Sequence, residues 1–357
     1  YTLFILCVLS VNLFYGCGNK NQNIISDSGF IKVKDNKFVD EQRRTIIFNG
    51  LNHVTKVRET NFLDLNDENV FRNFKEWGIN CVRFGIYWDV LEPEPGLINE
   101  EYLTEIDKRV KLAEENGVWL ILDMHQDLYG RKFGNGAPDW ATLDEDAPHY
   151  TGKIWSDAYL LSPAIHNAFD NFWKNTPASD GIGIQDHYIN AWKVIAKRYA
   201  NSPVIVGFDI MNEPYMGSGG DNVVAGIVQA YAEIAIKNGL IDADTDIQDI
   251  LNNSDLYKTT LDNLDNTYIY ELVTSAAYGA VQDFEENILS DFYQRMRDSI
   301  RTVNRKHILF LEHNYFCNLG IPSGIKLPLD NAGKPDALCA YAPHAYDLVT
   351  DTDDALN

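Results

Sequence analysis

Six short apolar segments, separated by helix-like stretches, constrain the fold of this chain more than any other feature of its sequence. Each is short and bounded by turn residues, which is typical of a strand buried on both faces. They lie at residues 46–52, 80–86, 118–125, 204–210, 307–313 and 338–343. Strands that alternate with helices predict a parallel sheet, and right-handed crossovers curl such a sheet towards an α/β fold, the (β/α)8 TIM barrel.

The stretches between the apolar segments carry helix patterns. Residues 67–78 and 99–117 are amphipathic, and both end at a glycine, a residue that commonly stops a helix. Further helical stretches are predicted at residues 163–175 and 186–201. Ahead of the first strand, residues 30–49 predict a hairpin that turns at Asp35-Asn36.

The first residues are typical of a targeting segment. Residues 1–17 contain an apolar run of the length found in signal peptides, and they predict a partial signal peptide. The run ends in Phe14-Tyr15-Gly16-Cys17, which resembles a bacterial lipoprotein processing site. Cys17 would then carry the lipid and residues 18–29 would form a polar tether; simple cleavage and secretion is the alternative. Both alternatives predict an exported protein, secreted or lipid-anchored at the cell envelope, with its barrel domain in residues 30–357.

The composition excludes some functions. Lys and Arg number 30 against 52 Asp and Glu, a net charge of −22, and this acidity argues against nucleic acid as a partner. The sequence contains no CxxC or HExxH motif, and the aspartates near residue 244 lack the glycine and glutamate of a calcium loop. We therefore predict no metal and no cofactor. Three further cysteines lie in apolar runs and predict buried free thiols: Cys81, Cys317 and Cys339.

Polar residues cluster at the carboxyl ends of the predicted strands, where α/β folds build their active sites. Arg83 interrupts the second strand, and burying its charge would be costly unless a carboxylate pairs with it. The later strands end in His125, Gln126, Asp127, Asn212, Glu213, Glu312, His313, Asn314, His344, Tyr346 and Asp347. Polar groups on five successive strands predict one site at one end of the barrel.

These motifs resemble glycoside hydrolase family 5, a family of retaining glycosidases in clan A. The matching motifs are Asn212-Glu213-Pro214 for the acid/base, Arg83, His125 and the HxY motif His344-Ala345-Tyr346. Within the family, the runs LDMHQDLYGRKFGNGAPDWAT and GFDIMNEPYMGS are similar to those of endoglycoceramidases. The resemblance covers the chain from about residue 30 to its end.

The resemblance implies a retaining hydrolase that cleaves the bond between glycan and ceramide in glycosphingolipids. Glu213 would act as acid and then as base, and Asn212 would donate to the sugar 2-hydroxyl. Arg83 and Tyr346 would orient the nucleophile. The remaining implied substrate-binding or supporting residues are His125, Asp127, His344, Lys56 and Asn314. Trp155 is either a platform that stacks on a sugar ring or a core tryptophan.

The end of the chain departs from the family pattern. The nucleophile belongs after a seventh strand, whereas the sequence stops at Asn357, after the predicted sixth strand, and Glu312 is not a convincing substitute. We therefore expect a fragment, a barrel truncated after about its sixth strand, with half of the catalytic pair and little or no turnover.

A helical insertion at residues 215–306 is several times longer than a normal connection. It could form a lid or wall beside the cleft, lined by Met216, Val223, Val224 and Ile227, or it could simply pack on the barrel. Two other functions stay open: another family 5 glycosidase (a glucanase, a mannanase or a glucosidase on simpler glycolipids), or a non-catalytic glycan-binding protein. The predicted partner is a glycolipid or oligosaccharide, with membrane association through a lipid anchor or the lipid substrate.

Overall fold

The computed structural model describes residues 29–239, 241–242, 254–347 and 350. The predicted signal peptide, Cys17, nearly all of the predicted tether, and Asp244 and Asp246 lie outside the described residues. Within the described ranges, no helix combines the length and the apolar character that a membrane span requires.

A small antiparallel sheet comes first, made of β1 (Lys32–Lys34), β2 (Lys37–Val39) and β3 (Thr45–Ile46). Asp35 and Asn36 join the first two strands with φ angles of 50° and 57°. Two successive positive φ angles are what a tight two-residue hairpin turn requires. The predicted hairpin is therefore confirmed.

The main sheet has six parallel strands whose spatial order follows their order in the chain. Five of the six predicted strands are confirmed with slightly shorter bounds. The strands are β4 (Gly50–His53), β5 (Cys81–Ile86), β6 (Trp119–Met124), β7 (Ile205–Asp209), β8 (Ile308–Leu311) and β9 (Cys339–Tyr341).

The predicted start of the first barrel strand is wrong. Residues 46–52 were expected to form one strand, but Ile46 pairs with β2, and the barrel strand begins at Gly50. Between these two strands, the ring of Phe48 packs against the rings of Phe38 and Trp119. This packing lets the chain leave the small sheet before it enters the barrel.

Six α-helices lie between residue 29 and β7, and four of them agree with the predicted helical stretches, whereas Trp88–Leu91 and Ala158–Leu161 were not predicted. Asp67 caps the first helix through Asn69 N–H, and Asn99 caps the third through the N–H groups of the first turn. Gly117 ends that helix with a φ of 70°. The helices are α1 (Glu68–Glu76), α2 (Trp88–Leu91), α3 (Glu100–Asn116), α4 (Ala158–Leu161), α5 (Pro163–Trp173) and α6 (Ile184–Arg198).

The insertion between β7 and β8 is helical. Its elements are α7 (Gly220–Lys237), α8 (Ser254–Leu264), α9 (Thr267–Ser275), α10 (Tyr278–Phe284), a π-helical turn (Glu285–Leu289) and α11 (Ser290–Arg301). The four proposed lid residues do not line the cleft. Met216 and Val223 are buried, and Val224 and Ile227 pack against the core. The alternative, helices packed on the barrel, describes these residues correctly.

The core lies between the six parallel strands and the helices, and it is rich in aromatic side chains such as Trp88, Trp192 and Phe208. Cys81, Cys317 and Cys339 are buried and free, as predicted. Burial raises the pKa of the Cys81 thiol to about 12. This thiol is therefore protonated and unreactive at neutral pH.

Candidate active site

A cleft of about 550 Å³ opens at the carboxyl ends of the barrel strands. It brings together nine of the ten predicted site residues. These are Lys56, Arg83, His125, Asp127, Trp155, Asn212, Glu213, His344 and Tyr346. In the ranges that the structure describes, no three His, Cys, Asp or Glu side chains are grouped so that they could hold a metal ion.

Arg83 lies in the floor of the cleft and contacts three carboxylates. Its Nη1 lies 2.9 Å from Asp123, its Nε lies 2.6 Å from Asp209, and its Nη2 lies 2.7 Å from Glu312. Burial lowers the pKa of Arg83, but the three carboxylates raise it well above its usual value. The sequence required one partner for this buried cation, and the fold supplies three.

Asp123 and Asp209 were missed by the sequence analysis. Each stands inside an apolar strand, in the runs LILDM and GFDIM, and the two residues are paired in register across β6 and β7. A single acidic residue within a buried strand was the signal that could have found both. Burial and the neighbouring Glu312 raise the pKa of Asp209 well above its usual value, whereas Arg83 lowers it.

Glu312 supports the site from below. Its side chain is only 1% exposed, and it accepts the backbone N–H of Glu213 at 2.7 Å. Burial raises its pKa, but Arg83 and His344 lower it to about 2. Glu312 is thus an ionised, enclosed anion that holds its neighbours in place.

Asp127 is fixed by two cations. Lys56 Nζ lies 2.7 Å from its Oδ2, and His125 Nε2 lies 3.3 Å from the same oxygen. Burial raises the pKa of Asp127, but His125 and Lys56 lower it below its usual value. Asn135, which the sequence analysis missed, donates its Nδ2–H to Oδ2 at 2.8 Å. The result is a rigid carboxylate that can accept a hydroxyl group of a ligand.

His125 connects this part of the cleft to the floor. Its Nδ1 lies 2.7 Å from Asp123, the same carboxylate that pairs with Arg83. Burial lowers the pKa of His125, but Asp123 and Asp127 raise it to about 9. The imidazole is therefore protonated at neutral pH, and both of its nitrogens donate to carboxylates.

Glu213 sits at the centre of the cleft on a strained backbone. Its φ is 42°, in the left-handed region, where a residue with a Cβ costs about 1–3 kcal/mol. Its Oε1 accepts from Asn318 Nδ2 at 3.0 Å and from His344 Nδ1 at 2.8 Å. Gln126 donates to the backbone carbonyl of Asn212 at 2.7 Å. Side chain and backbone are thus both held in one orientation.

Asn314 does not belong to the cleft, which corrects one prediction. It is fully buried, and its Oδ1 accepts from Phe316 N–H at the start of the 3-10 helix Tyr315–Leu319. The side chain that reaches Glu213 comes from the same loop four residues later, at Asn318. Sequence patterns did not single out Asn318, because it follows the strand end by a full helical turn.

Trp155 is not a core tryptophan. It is 44% exposed, it lines the cleft, and Lys56 Nζ lies 4.7 Å from the centre of its ring. Tyr346 is 54% exposed at the rim of the same cleft. The stacking of a sugar on Trp155 and the contact of Tyr346 with a nucleophile stay predictions.

His344 bridges two carboxylates, and its replacement should change how stability depends on pH. Burial lowers its pKa, but Glu312 and Glu213 raise it to about 10 from an ordinary value of 6.5. The protonated ring therefore stabilises the fold fully below pH 6.5, and this stabilisation is lost as the pH rises towards 10. Between these pH values we expect the wild type to lose roughly 1–3 kcal/mol more than His344→Asn in urea unfolding. Equal losses in the two proteins would contradict this assignment.

The fold and the cleft together define a class of protein. Parallel barrel strands that direct a buried arginine, an Asn-Glu pair and two imidazoles into one cleft are the architecture of a (β/α)8-barrel glycoside hydrolase. The chain belongs to glycosyl hydrolase family 5, since the cellulase model of that family matches residues 39–239. Its six sequential strands are those of a (β/α)8 TIM barrel, as the sequence predicted.

Several known proteins are similar to this chain. Endoglycoceramidase I of Rhodococcus hoagii is 30% identical over 184 residues, which cover 50% of this chain and 36% of that protein. Endoglycoceramidase of Hydra vulgaris is 27% identical over 220 residues, which cover 53% of this chain and 41% of that protein. The solved ganglioside GM3 complex of endo-glycoceramidase II from Rhodococcus sp. is 27% identical with a TM-score of 0.64, over 87% of this chain and 59% of that one. The chain thus spans less than two thirds of the length of each relative.

Proposed function

We propose that this protein is a retaining glycosidase that acts on the glycan–ceramide bond of glycosphingolipids. One observation carries the proposal: the cleft around Glu213 is polar in one part and apolar in the other. The polar part is formed by Lys56, His125, Asp127 and Asn212. The apolar part is formed by Ile154, Leu160, Tyr315, Phe316 and Leu319. A glycan with a lipid aglycone has matching halves on either side of its scissile bond.

The apolar part is built from two loops that contact each other. The rings of Tyr159 and Tyr315 lie 4.7 Å apart, so residues 154–160 pack on residues 315–319. Asn318 from the second loop touches Glu213 directly. A lipid chain lying on this wall would therefore begin beside the proposed acid/base carboxyl, where the leaving oxygen must be protonated.

The chemistry assigns a role to each fixed group. Glu213 would give its proton to the glycosidic oxygen as the bond to the anomeric carbon breaks, and would later remove a proton from the attacking water. Asn212 is held by Arg83, which donates to its Oδ1 at 3.0 Å, and by Gln126 O, which accepts from its Nδ2 at 3.0 Å. This fixes its amide for a contact with the sugar 2-hydroxyl.

A retaining mechanism needs a second carboxylate about 5 Å from the first, as nucleophile. Glu312 is enclosed beneath the cleft, and Asp127 is paired with Lys56 and His125. Both anions are thus engaged in holding the site together. We propose that the nucleophile comes from the seventh strand of the family fold, outside the residues that the structure describes.

The polypeptide of residues 1–357 should therefore bind glycan but release little or none. We expect incubation with a purified lacto- or ganglio-series glycosphingolipid to yield no more free glycan than the Glu213→Gln variant yields. Thin-layer chromatography of the released sugar measures this. Robust, Glu213-dependent release would show that a carboxylate within these residues acts as nucleophile, and the proposed division of roles would be wrong.

The substrate class can be tested by binding alone. We expect a soluble short-chain ceramide glycoside to bind at least about tenfold more tightly than the free glycan, because its lipid part buries apolar surface on the 154–160 and 315–319 loops. Isothermal titration calorimetry with both ligands, and with cellotetraose, gives the comparison. Tighter binding of cellotetraose would instead favour a glucanase of the same family.

A further inference from the structure

Glu285 is a buried carboxylate that belongs to the helical insertion and not to the cleft. It is 0% exposed and begins the π-helical turn Glu285–Leu289, between α10 and α11. A buried carboxylate is costly unless hydrogen bonds satisfy it. π-helical turns are rare and are frequently found at functional sites. The partners of Glu285 therefore indicate what this residue does.

Among the residues that the structure describes, the hydrogen-bond partners of the Glu285 side chain come from one loop, residues 314–324. Its Oε1 accepts from Asn314 N–H at 2.7 Å and from Asn314 Nδ2–H at 2.8 Å. Its Oε2 accepts from Ser323 Oγ–H at 2.6 Å and from Gly324 N–H at 2.5 Å. One carboxylate thus holds both ends of the loop through its two oxygens.

Two neighbouring helices hold the middle of the same loop. Tyr270 of α9 donates its hydroxyl to Leu319 O at 2.6 Å, and Gln282 of α10 donates to Pro322 O at 2.6 Å. The insertion therefore contacts the loop at several backbone positions along its length. Side-chain hydrogen bonds to backbone groups restrict a loop that has no sheet partner of its own.

The clamped loop in turn orients Glu213. Tyr315 N–H donates to Pro214 O at 2.9 Å, next to Glu213, and Asn318 donates to Glu213 Oε1 at 3.0 Å. His344 Nδ1 donates a second hydrogen bond to the same oxygen. With two donors on Oε1, the proton of the acid form belongs on Oε2. The loop therefore decides which oxygen of Glu213 faces the leaving group.

We propose that Glu285 is a positioning residue for the acid/base carboxyl, acting through Asn314, the 315–319 helix and Asn318. The insertion then holds the 314–324 loop in place behind the apolar part of the cleft. This inference rests on the proposed acid/base role of Glu213. It assigns a function to a carboxylate that touches neither the cleft nor the Arg83 cluster.

The test compares two ligands, and the affinity of only one of them depends on where the Glu213 proton lies. A cellobiose-like imidazole carries a ring nitrogen where the glycosidic oxygen would lie, so its affinity depends on the placement of the Glu213 proton. Cellobiose itself lacks that nitrogen. The quantity measured is the ratio of the two dissociation constants, obtained by calorimetry between pH 5 and pH 8. A general loss of structure weakens both ligands and leaves the ratio unchanged.

Glu285→Gln and Glu286→Gln form a matched pair, because the same change is made at adjacent residues. Glu286 is on the surface, where it pairs with Lys326 at 3.0 Å. We expect Glu285→Gln to reduce the preference for the imidazole about tenfold and to flatten its pH dependence. Glu286→Gln should stay within twofold of the wild type. An unchanged ratio in Glu285→Gln would overturn the inference.

Tyr270→Phe covers the case in which Glu285→Gln does not fold. It removes a single hydroxyl from the clamp and should reduce the preference about threefold; no reduction would also overturn the inference. The proposed function fails in a different way. If the wild type shows no preference for the imidazole, or if Glu213→Gln retains the full preference, the acid/base assignment itself is wrong.

Discussion

Arg83→Met should lower the free energy of unfolding by about 3–5 kcal/mol. The change removes the guanidinium group of this side chain. Three buried carboxylates, Asp123, Asp209 and Glu312, then lack their cationic partner. Their mutual repulsion and their lost hydrogen bonds are not compensated by the apolar methionine. Urea unfolding at pH 7, followed by tryptophan fluorescence and circular dichroism, measures the loss.

Arg198→Met is the matched control for this prediction. Arg198 also pairs with two carboxylates, at 2.6 Å to Asp107 and 3.2 Å to Glu100, but these pairs lie at the surface. Surface ion pairs contribute at most about 1 kcal/mol, because water screens them. If the two variants lose the same stability, the arginine in the cleft floor is not the centre of a buried charge cluster, and its described role is wrong.

Glu213→Gln should weaken the binding of a cellobiose-like imidazole by roughly 10- to 150-fold. Hydrogen bonds to charged groups contribute about 1.5–3 kcal/mol, and a neutral amide cannot exchange a proton with the imidazole nitrogen. The amide oxygen can still accept from Asn318 and His344, so the shape of the cleft should be preserved. Calorimetry at pH 6 gives the change in dissociation constant.

Glu271→Gln, on the exposed face of α9, controls for the loss of one negative charge from a chain of net charge −22. It should leave the affinity within twofold of the wild type. A Glu213→Gln variant that binds the imidazole as tightly as the wild type would remove the basis for calling this residue the acid/base, and the binding-only alternative would gain support.

The local elements of this fold could be predicted because their causes are local. Alternating apolar segments specified five of the six barrel strands, and Asp67, Asn99 and Gly117 marked helix ends through caps that need only neighbouring residues. The positive φ angles at Asp35 and Asn36 are likewise a property of the turn sequence. The motif residues that line the cleft were predictable because parallel strands end at one edge.

The partners of those residues were decided only by the tertiary structure. Lys56 pairs with Asp127, Glu312 is buried against Arg83, and Asn318 lines the cleft whereas Asn314 does not. Each of these contacts joins residues that are far apart in the chain, and no local pattern encodes which of several nearby polar side chains will meet.

The sequence by itself thus determined the barrel, its family and the edge at which the site lies. The tertiary structure decided how the charges are shared and which loop the insertion contacts. Burial explains the difference: a strand pattern reports only that a side chain is enclosed, whereas its charge state depends on every group that is packed against it. Glu285 shows this most clearly, since its neighbours in sequence give no indication that it holds the loop that orients Glu213.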